Sequence, residues 1–535
     1  MLDVIVVGAG HNGLTAAAYL ARAAHDVLVL EANDKIGGCT TSAEFEPGFE
    51  TSPCAGDVIT MRASTIVADL ELARHGYREV DVDPCYMCIT PDGASLAFWR
   101  DVQKTAEEVR HFSQADARTF LELMGQLDHA LDAMLAMMKT NPTRPGRRAL
   151  AGVAKAVGRH PRDVARLGEL LTGSAAQALR ERFEHPIVRG AFAMLASFGS
   201  PITIESSGAN LMVLPLIARI GLGRPIGGLG TLPAALAADL AEHHGRIRTG
   251  ARVEEVLVDA GRATGVRLTS GETLRASAVI TACDPRTALT GLLPEGALNR
   301  KYAARAAAIP VRNDGCTHFR VDLALDTQIE LPRHAAWRGD DLDLRRPSHM
   351  IGDLDNICDA IAAAKASRVP DPLPVVSIIS SSTDPASAPD GGDVLYLWSG
   401  WTPHEPPEGW DALRGPTADA LVARAAEHYP GIEDHIVARR VEAWPDISAR
   451  TNVPEGNVYH VDLSVQRTAA LRPALGFGGY KTPVPGLFLT GAGTHPGPSV
   501  SGIPGQLAAR VVAKDLKSSR SHRMSTPHEP ELVTP

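Results

Sequence analysis

Gly8, Gly10 and Gly13 stand directly between an apolar run, residues 2–7, and an alanine-rich stretch, and Glu31 closes the next apolar run. In a strand-turn-helix unit the first glycine permits the tight turn. The second lets a diphosphate approach the backbone, and the third lets helix and strand pack closely. The phosphates then meet free N–H groups at the helix N-terminus, and Glu31 accepts hydrogen bonds from the adenosine ribose. The spacing predicts dinucleotide binding. Nicotinamide and flavin dinucleotides share this fingerprint. The pair Gly37-Gly38, a second place where backbone approaches the ligand, selects FAD. No second strand-GxGxxG-helix unit follows, so a separate NAD(P)H domain is not expected. Cys39 and Cys54 are too far apart in sequence for the closely spaced redox pair of a disulfide reductase.

A second glycine-rich loop, Gly491-Ala492-Gly493-Thr494-His495-Pro496-Gly497, leads to a helix starting near Ser501. It is expected to cradle the flavin ring, because a helix N-terminus stabilises the negative charge gained on reduction. His495 titrates in the working pH range and is the expected proton acceptor, with Tyr480 in the preceding turn as the other candidate. Cys85 and Cys88 form a CxxC without a second cysteine or histidine pair at matching spacing. They read as ordinary buried thiols, and no metal site is expected.

The elements that must position these groups follow from hydrophobic periodicity. Residues 2–7 and 26–30 read as buried parallel strands around a helix over 12–24. Residues 105–138 carry apolar positions at helical spacing, with Ser113 and Asp116 resembling a capping box. The basic stretch 139–182 is broken by Pro142, Pro145 and Pro161. Residues 246–259, 263–269 and 273–282 alternate as strands around a turn at 270–272. A short strand at 487–490 and a helix over 501–516 close the unit, and the polar residues 517–535 are expected to be a disordered tail.

Composition narrows the function classes. With 535 residues, 44% hydrophobic and 21% charged, the chain has an ordinary globular enzyme's make-up. A net charge of -9 gives no basic surface for nucleic acid. Seven cysteines at irregular spacing suit a reducing, cytoplasmic compartment. No stretch reaches the ~18 apolar residues of a membrane span; residues 211–218 come nearest and contain Pro215. The basic segment 144–166 is the one that would meet anionic lipid, so any membrane contact is expected to be peripheral.

With these motifs in place, the chain resembles the phytoene-desaturase-like flavoproteins, which include carotenoid desaturases, carotenoid isomerases and retinol saturases. The match is carried by residues 4–13 with Glu31 and Gly37-Gly38, by Arg224-Pro225-Ile226-Gly227-Gly228-Leu229-Gly230, by residues 251–256 and by residues 486–516. Its nearest limb, through residues 69–76 and 491–497, is that of the pyridine nucleotide-disulphide oxidoreductase domain-containing proteins. The resemblance implies an α/β fold: a Rossmann-like FAD-binding domain from 1–76, 225–290 and 477–516, interleaved with an α+β substrate domain from 77–224 and 291–476. It also implies that the Val253 backbone contacts adenine and that Gly491, Gly502 and Ile503 line the isoalloxazine. Ala492 stands where many relatives bind the ribityl chain with an acidic residue, and Ile503 where amine oxidases place a cage aromatic. The implied activity is FAD-dependent desaturation of a C–C bond in an extended, largely apolar small molecule, with hydride passing to flavin N5 and oxygen or a quinone as final acceptor. A flavin-dependent saturase or isomerase, an amine oxidase and a non-catalytic flavin-bearing interaction protein are the alternatives.

Overall fold

The computed structural model describes residues 1–159, 168, 170, 172–197 and 204–525. Its first sheet runs in the order Val253–Asp259, Arg262–Leu268, Thr273–Thr281, Leu2–Val7, Val27–Leu30, Arg246–Arg248, and Leu487–Leu489 also pairs with Thr273–Thr281. Leu2–Val7 sits at its centre, parallel to both neighbours, with Val4 opposite Ala278 on one side and Val27 on the other. Both faces of these strands are covered, which is why they read as unbroken β-branched runs. Helices His11–Arg22, Thr231–Glu242 and Ile503–Ser525 pack into one apolar core against this sheet.

The second sheet has the order Ile436–Glu442, Cys316–Leu325, Asp393–Pro403, Val375–Ile379, Ser348–Ile351, Tyr86–Ile89, Ser95–Phe98. Only Ser348–Ile351 with Tyr86–Ile89 is parallel. One face carries Trp410–Ala426; the other meets the helices Gln114–Met138 and Pro186–Ser197. Glu79–Val82 pairs with Leu222–Pro225 in a separate two-stranded sheet.

Three local expectations change. The helix expected over 105–138 is two, Val102–Arg110 and Gln114–Met138. Ser113 caps the second by accepting from the Asp116 N–H at 3.0 Å, but Asp116 does not return the bond. Its buried carboxylate instead accepts from the N–H groups of Glu184 and His185 at 2.8 and 2.9 Å, fastening a neighbouring turn. The strand expected over 246–259 divides at Gly250, whose φ of +60° turns the chain, and Arg246–Arg248 pairs with Val27–Leu30 instead of joining the hairpin. The closing helix continues through Ser525, so residues 517–525 are helical, not part of a disordered tail. No proline or glycine interrupts them, and extending a formed helix is cheap; residues 526–535 lie outside the described residues. So do residues 160–166 of the basic segment, whose earlier part includes the helix Arg147–Arg159. Among the described residues no helix is long and apolar enough to cross a membrane.

Candidate active site

Two cavities meet beside the first glycine turn. The first, about 200 Å³, is a groove lined by Gly8, Gly10, Gly13, Glu31, Gly38, Val253, Gly491 and Ala492 among others. Gly8, at φ +104°, donates its N–H to Leu30 O at 2.7 Å and so ties the turn to the second strand. A Cβ on Gly13 would lie 2.1 Å from Gly8 O, a distance no side chain tolerates. A Cβ on Gly10 would meet nothing nearer than Gly37 O at 3.9 Å, so the space above it is open to the groove. Helix His11–Arg22 starts there with no side chain capping its N-terminus. That leaves amide donors and the positive end of the helix dipole for an anion.

At the other end of the groove, Glu31 accepts from the Ala9 N–H at 2.8 Å and the Asn33 N–H at 2.9 Å, which fixes its carboxylate between two loops. Asp284 is buried, and its Oδ2 has no partner among the described residues; burial raises its pKa. A buried acceptor left open is costly unless a ligand supplies the donor. Together with the empty cradle over Gly10, it fits a diphosphate at the helix end and a hydroxyl-bearing adenosine beside Glu31 and Asp284.

Other expected contacts stand elsewhere. Gly37 donates to Ala9 O at 2.9 Å and holds the turn from behind. Gly502, at φ +66°, is pressed against Thr15 and Ile66, and Ile503 is buried in the helical core. Neither lines the two cavities, because the closing helix lies on His11–Arg22. The residues just before them, Pro498, Ser499 and Val500, line the second cavity. His495 and Tyr480 also fall outside both cavities. The His495 Nε2 bonds Met137 O at 3.0 Å and the Tyr480 hydroxyl donates to His495 O at 2.8 Å. Both side chains secure the loop. Ala492, without an acidic side chain, is held by its carbonyl: the fully buried Arg472 donates to it from Nε at 3.2 Å and Nη2 at 2.9 Å.

The second cavity, about 250 Å³, shares His11, Cys39, Val458 and Ala492 with the groove. Its walls include Ile59, Ile378, Ile447, Val500, Tyr86, Tyr396, Trp398 and Tyr459, with His318 and Arg320 as buried polar groups. Arg320 pairs with Asp322, donates to Thr51 Oγ1 at 2.7 Å and lies 4.1 Å from the Tyr396 ring centre. The Trp398 indole N–H donates to His318 Nδ1 at 3.1 Å. That bond makes Nδ1 the acceptor and leaves the ring proton on Nε2, which is buried without a partner among the described residues. Burial lowers the His318 pKa to about 4, so the ring is neutral at pH 7. His11, lowered to about 4 by burial, borders both cavities.

Sequence reasoning missed His318, Arg320, Tyr459 and Arg472. Each is brought in by strands or loops distant in sequence, and no motif marks them. His11 had a signal, since it lies inside the glycine fingerprint. Cys39 and Cys54, set aside for their sequence separation, interact through their side chains. Cys85 and Cys88 are buried, with thiols pushed up to about 12 by burial.

Comparison with known proteins agrees with this fold. The family model described as flavin containing amine oxidoreductase matches residues 13–339. The pyridine nucleotide-disulfide oxidoreductase domain-containing protein 2 of Mus musculus is 30% identical, over 96% of this chain and 94% of its own. A neurosporene-forming phytoene desaturase of Cereibacter sphaeroides is 25% identical, over 98% and 96%. Among solved structures, an oxidoreductase from Methanosarcina mazei superposes with a TM-score of 0.63 at 15% identity, covering 96% of this chain and 100% of that one.

Proposed function

The chain belongs to the flavin containing amine oxidoreductase family as an FAD-dependent oxidoreductase, and from that premise we propose that it desaturates a C–C bond of a largely apolar small molecule. The observation that carries the reading is the second chamber: mostly aliphatic and aromatic, and opening on the dinucleotide groove at His11, Cys39 and Ala492. FAD, when bound, supplies a two-electron acceptor for hydride. The phytoene desaturase relative, by its name, acts on such a hydrocarbon.

The chain's own residues divide the remaining work. The apolar walls gain about 25 cal/mol for each Å² of substrate surface they take from water, and they exclude water from the reacting carbon. The chamber accommodates the part of an extended molecule around the reacting bond. His318, with its proton on Nε2, donates a hydrogen bond and so orients a substrate oxygen or π-face; it does not take up a proton there. Asp57, also in the wall, is bound by Arg224 at 2.9 Å. His11 is the imidazole that borders both spaces, and it replaces His495 as the proton acceptor in this reading. A cationic amine is disfavoured, since the Asp57 charge is already met by Arg224.

Anaerobic mixing of the yellow protein with apolar polyenes is expected to bleach the flavin absorbance, and His11→Asn to keep FAD while slowing that bleaching. Bleaching by NAD(P)H alone sinks the desaturase direction. Reoxidation by oxygen or a quinone, and peripheral contact of Arg147–Arg159 with anionic lipid, belong to the same proposal. Stopped-flow reoxidation and vesicle co-sedimentation test them.

A further inference from the structure

Cys39 belongs to the turn Gly38–Thr40 and faces both cavities, while Cys54 faces the chamber from the segment after Phe49–Thr51. Both are partly exposed to these spaces. Arg450, on the helix Trp444–Thr451, donates from Nη2 to Cys54 Sγ at 3.5 Å and to Pro53 O at 3.2 Å. Its guanidinium is fixed from behind by Glu442, at 2.7 Å from Nε and 2.9 Å from Nη2. A cation held this rigidly beside one of two thiols that line the same chamber is an arrangement for keeping that sulfur ionised and the other protonated.

We propose that Cys39 and Cys54 are a peroxide-oxidisable thiol pair at the seam of the two cavities, with Cys54 attacking, Cys39 resolving and Arg450 positioning the thiolate. The Cys54 thiolate attacks one peroxide oxygen: an S–O bond forms, the O–O bond breaks, and the departing hydroxide takes a proton to become water. Cys39 then loses its proton and attacks the Cys54 sulfur; the S–S bond forms, the S–O bond breaks, and a second water leaves. Two thiols give up two electrons and two protons in all, and one hydrogen peroxide becomes two waters. The Cys39 S–H hydrogen bond lowers the Cys54 pKa, with Arg450 adding to the effect, whereas the same bond and burial raise Cys39. Glu442 opposes the shift at Cys54, and the Tyr396 hydroxyl, His11, Asp57, His318, Arg320 and Tyr459 are the other titratable groups of the same chamber. Cys358 is the internal contrast: it also has an arginine, Arg180, at 3.7 Å, but burial raises its pKa.

The test exposes the FAD-loaded protein to graded hydrogen peroxide, alkylates the remaining thiols, and maps peptides without reduction. The expected first product is a linked Cys39–Cys54 peptide, appearing before Cys358 or Cys283 reacts. Cys39→Ser is expected to stop at singly oxidised Cys54, and Cys54→Ser to leave Cys39 reduced. Arg450→Gln is expected to slow Cys54 oxidation at pH 7 by about tenfold and move its pH profile upward, with Arg450→Lys restoring part of the rate. Cys54 reacting no faster than Cys358 overturns the proposal, as does overoxidation of Cys54 while Cys39 stays reduced. Neither readout depends on the substrate, so failure here is distinct from failure of the desaturase reading.

Discussion

Gly10 and Gly13 sit three residues apart and are glycines for opposite reasons. Gly13 is filled: its missing Cβ would strike Gly8 O at 2.1 Å and Ala282 Cβ at 3.0 Å. Gly10 is empty, with an unstrained φ of -69° and no atom nearer than 3.9 Å. Gly13→Ala is therefore expected to lower stability by about 3 kcal/mol, seen in denaturant unfolding of the protein stripped of FAD. Gly10→Ala is expected to leave that unfolding curve in place and weaken FAD binding by about tenfold or more, because the methyl group occupies the space a phosphate needs. Equal stability loss in both variants would remove the cradle from the account. These glycines were legible in the sequence because their role is local: a turn and a helix start within a few residues. His318 was not, since its meaning comes from Trp398, a partner on a neighbouring strand.

Elements carry the next part of the site, and Arg472 shows how. From one fully buried guanidinium it donates to the carbonyls of Ala492, Val461 and Tyr459, with longer bonds to Asp462 and Arg467. The loop over 459–472 and the loop after Leu487–Leu489 thus share one hub. Arg472→Met is expected to cost about 3 kcal/mol or more in denaturant unfolding, since several carbonyls lose a charged donor at once. Arg472→Lys is expected to recover little of it, because an ammonium cannot reproduce the planar fork. A near-neutral Met variant would show that the loops hold themselves. The hub fixes the second glycine loop through the Ala492 carbonyl. Sequence periodicity found the strand and helix that flank this loop, because both bury one regular face. It missed the break at Ser113 and the extension to Ser525, where a side chain reaching another element, or the lack of any interruption, sets the boundary.

The whole molecule joins two sheets whose strands come in alternating blocks along the chain, and buried imidazoles lie where they meet. Burial lowers His11 and His318 to about 4 and His460 to about 3; His349 and His428, deeper in the second unit, are also lowered to about 3. The unfolded chain, with ordinary values near 6.5, binds more protons than the folded one between about 6.5 and these lowered values. Stability therefore falls as pH drops through that window, by about 1.4 kcal/mol per pH unit for each histidine that ionises only on unfolding. Moving from pH 7 to pH 5 is expected to lower the melting temperature steeply. Because His11 and His460 line the dinucleotide groove, FAD should leave in the same transition, not in an earlier one. Thermal scans at both pH values, following circular dichroism and flavin fluorescence together, test this. A melting temperature unchanged down to pH 5 would mean the imidazoles are protonated in the folded state. Flavin release well ahead of unfolding would mean the groove opens independently of the junction that these histidines occupy.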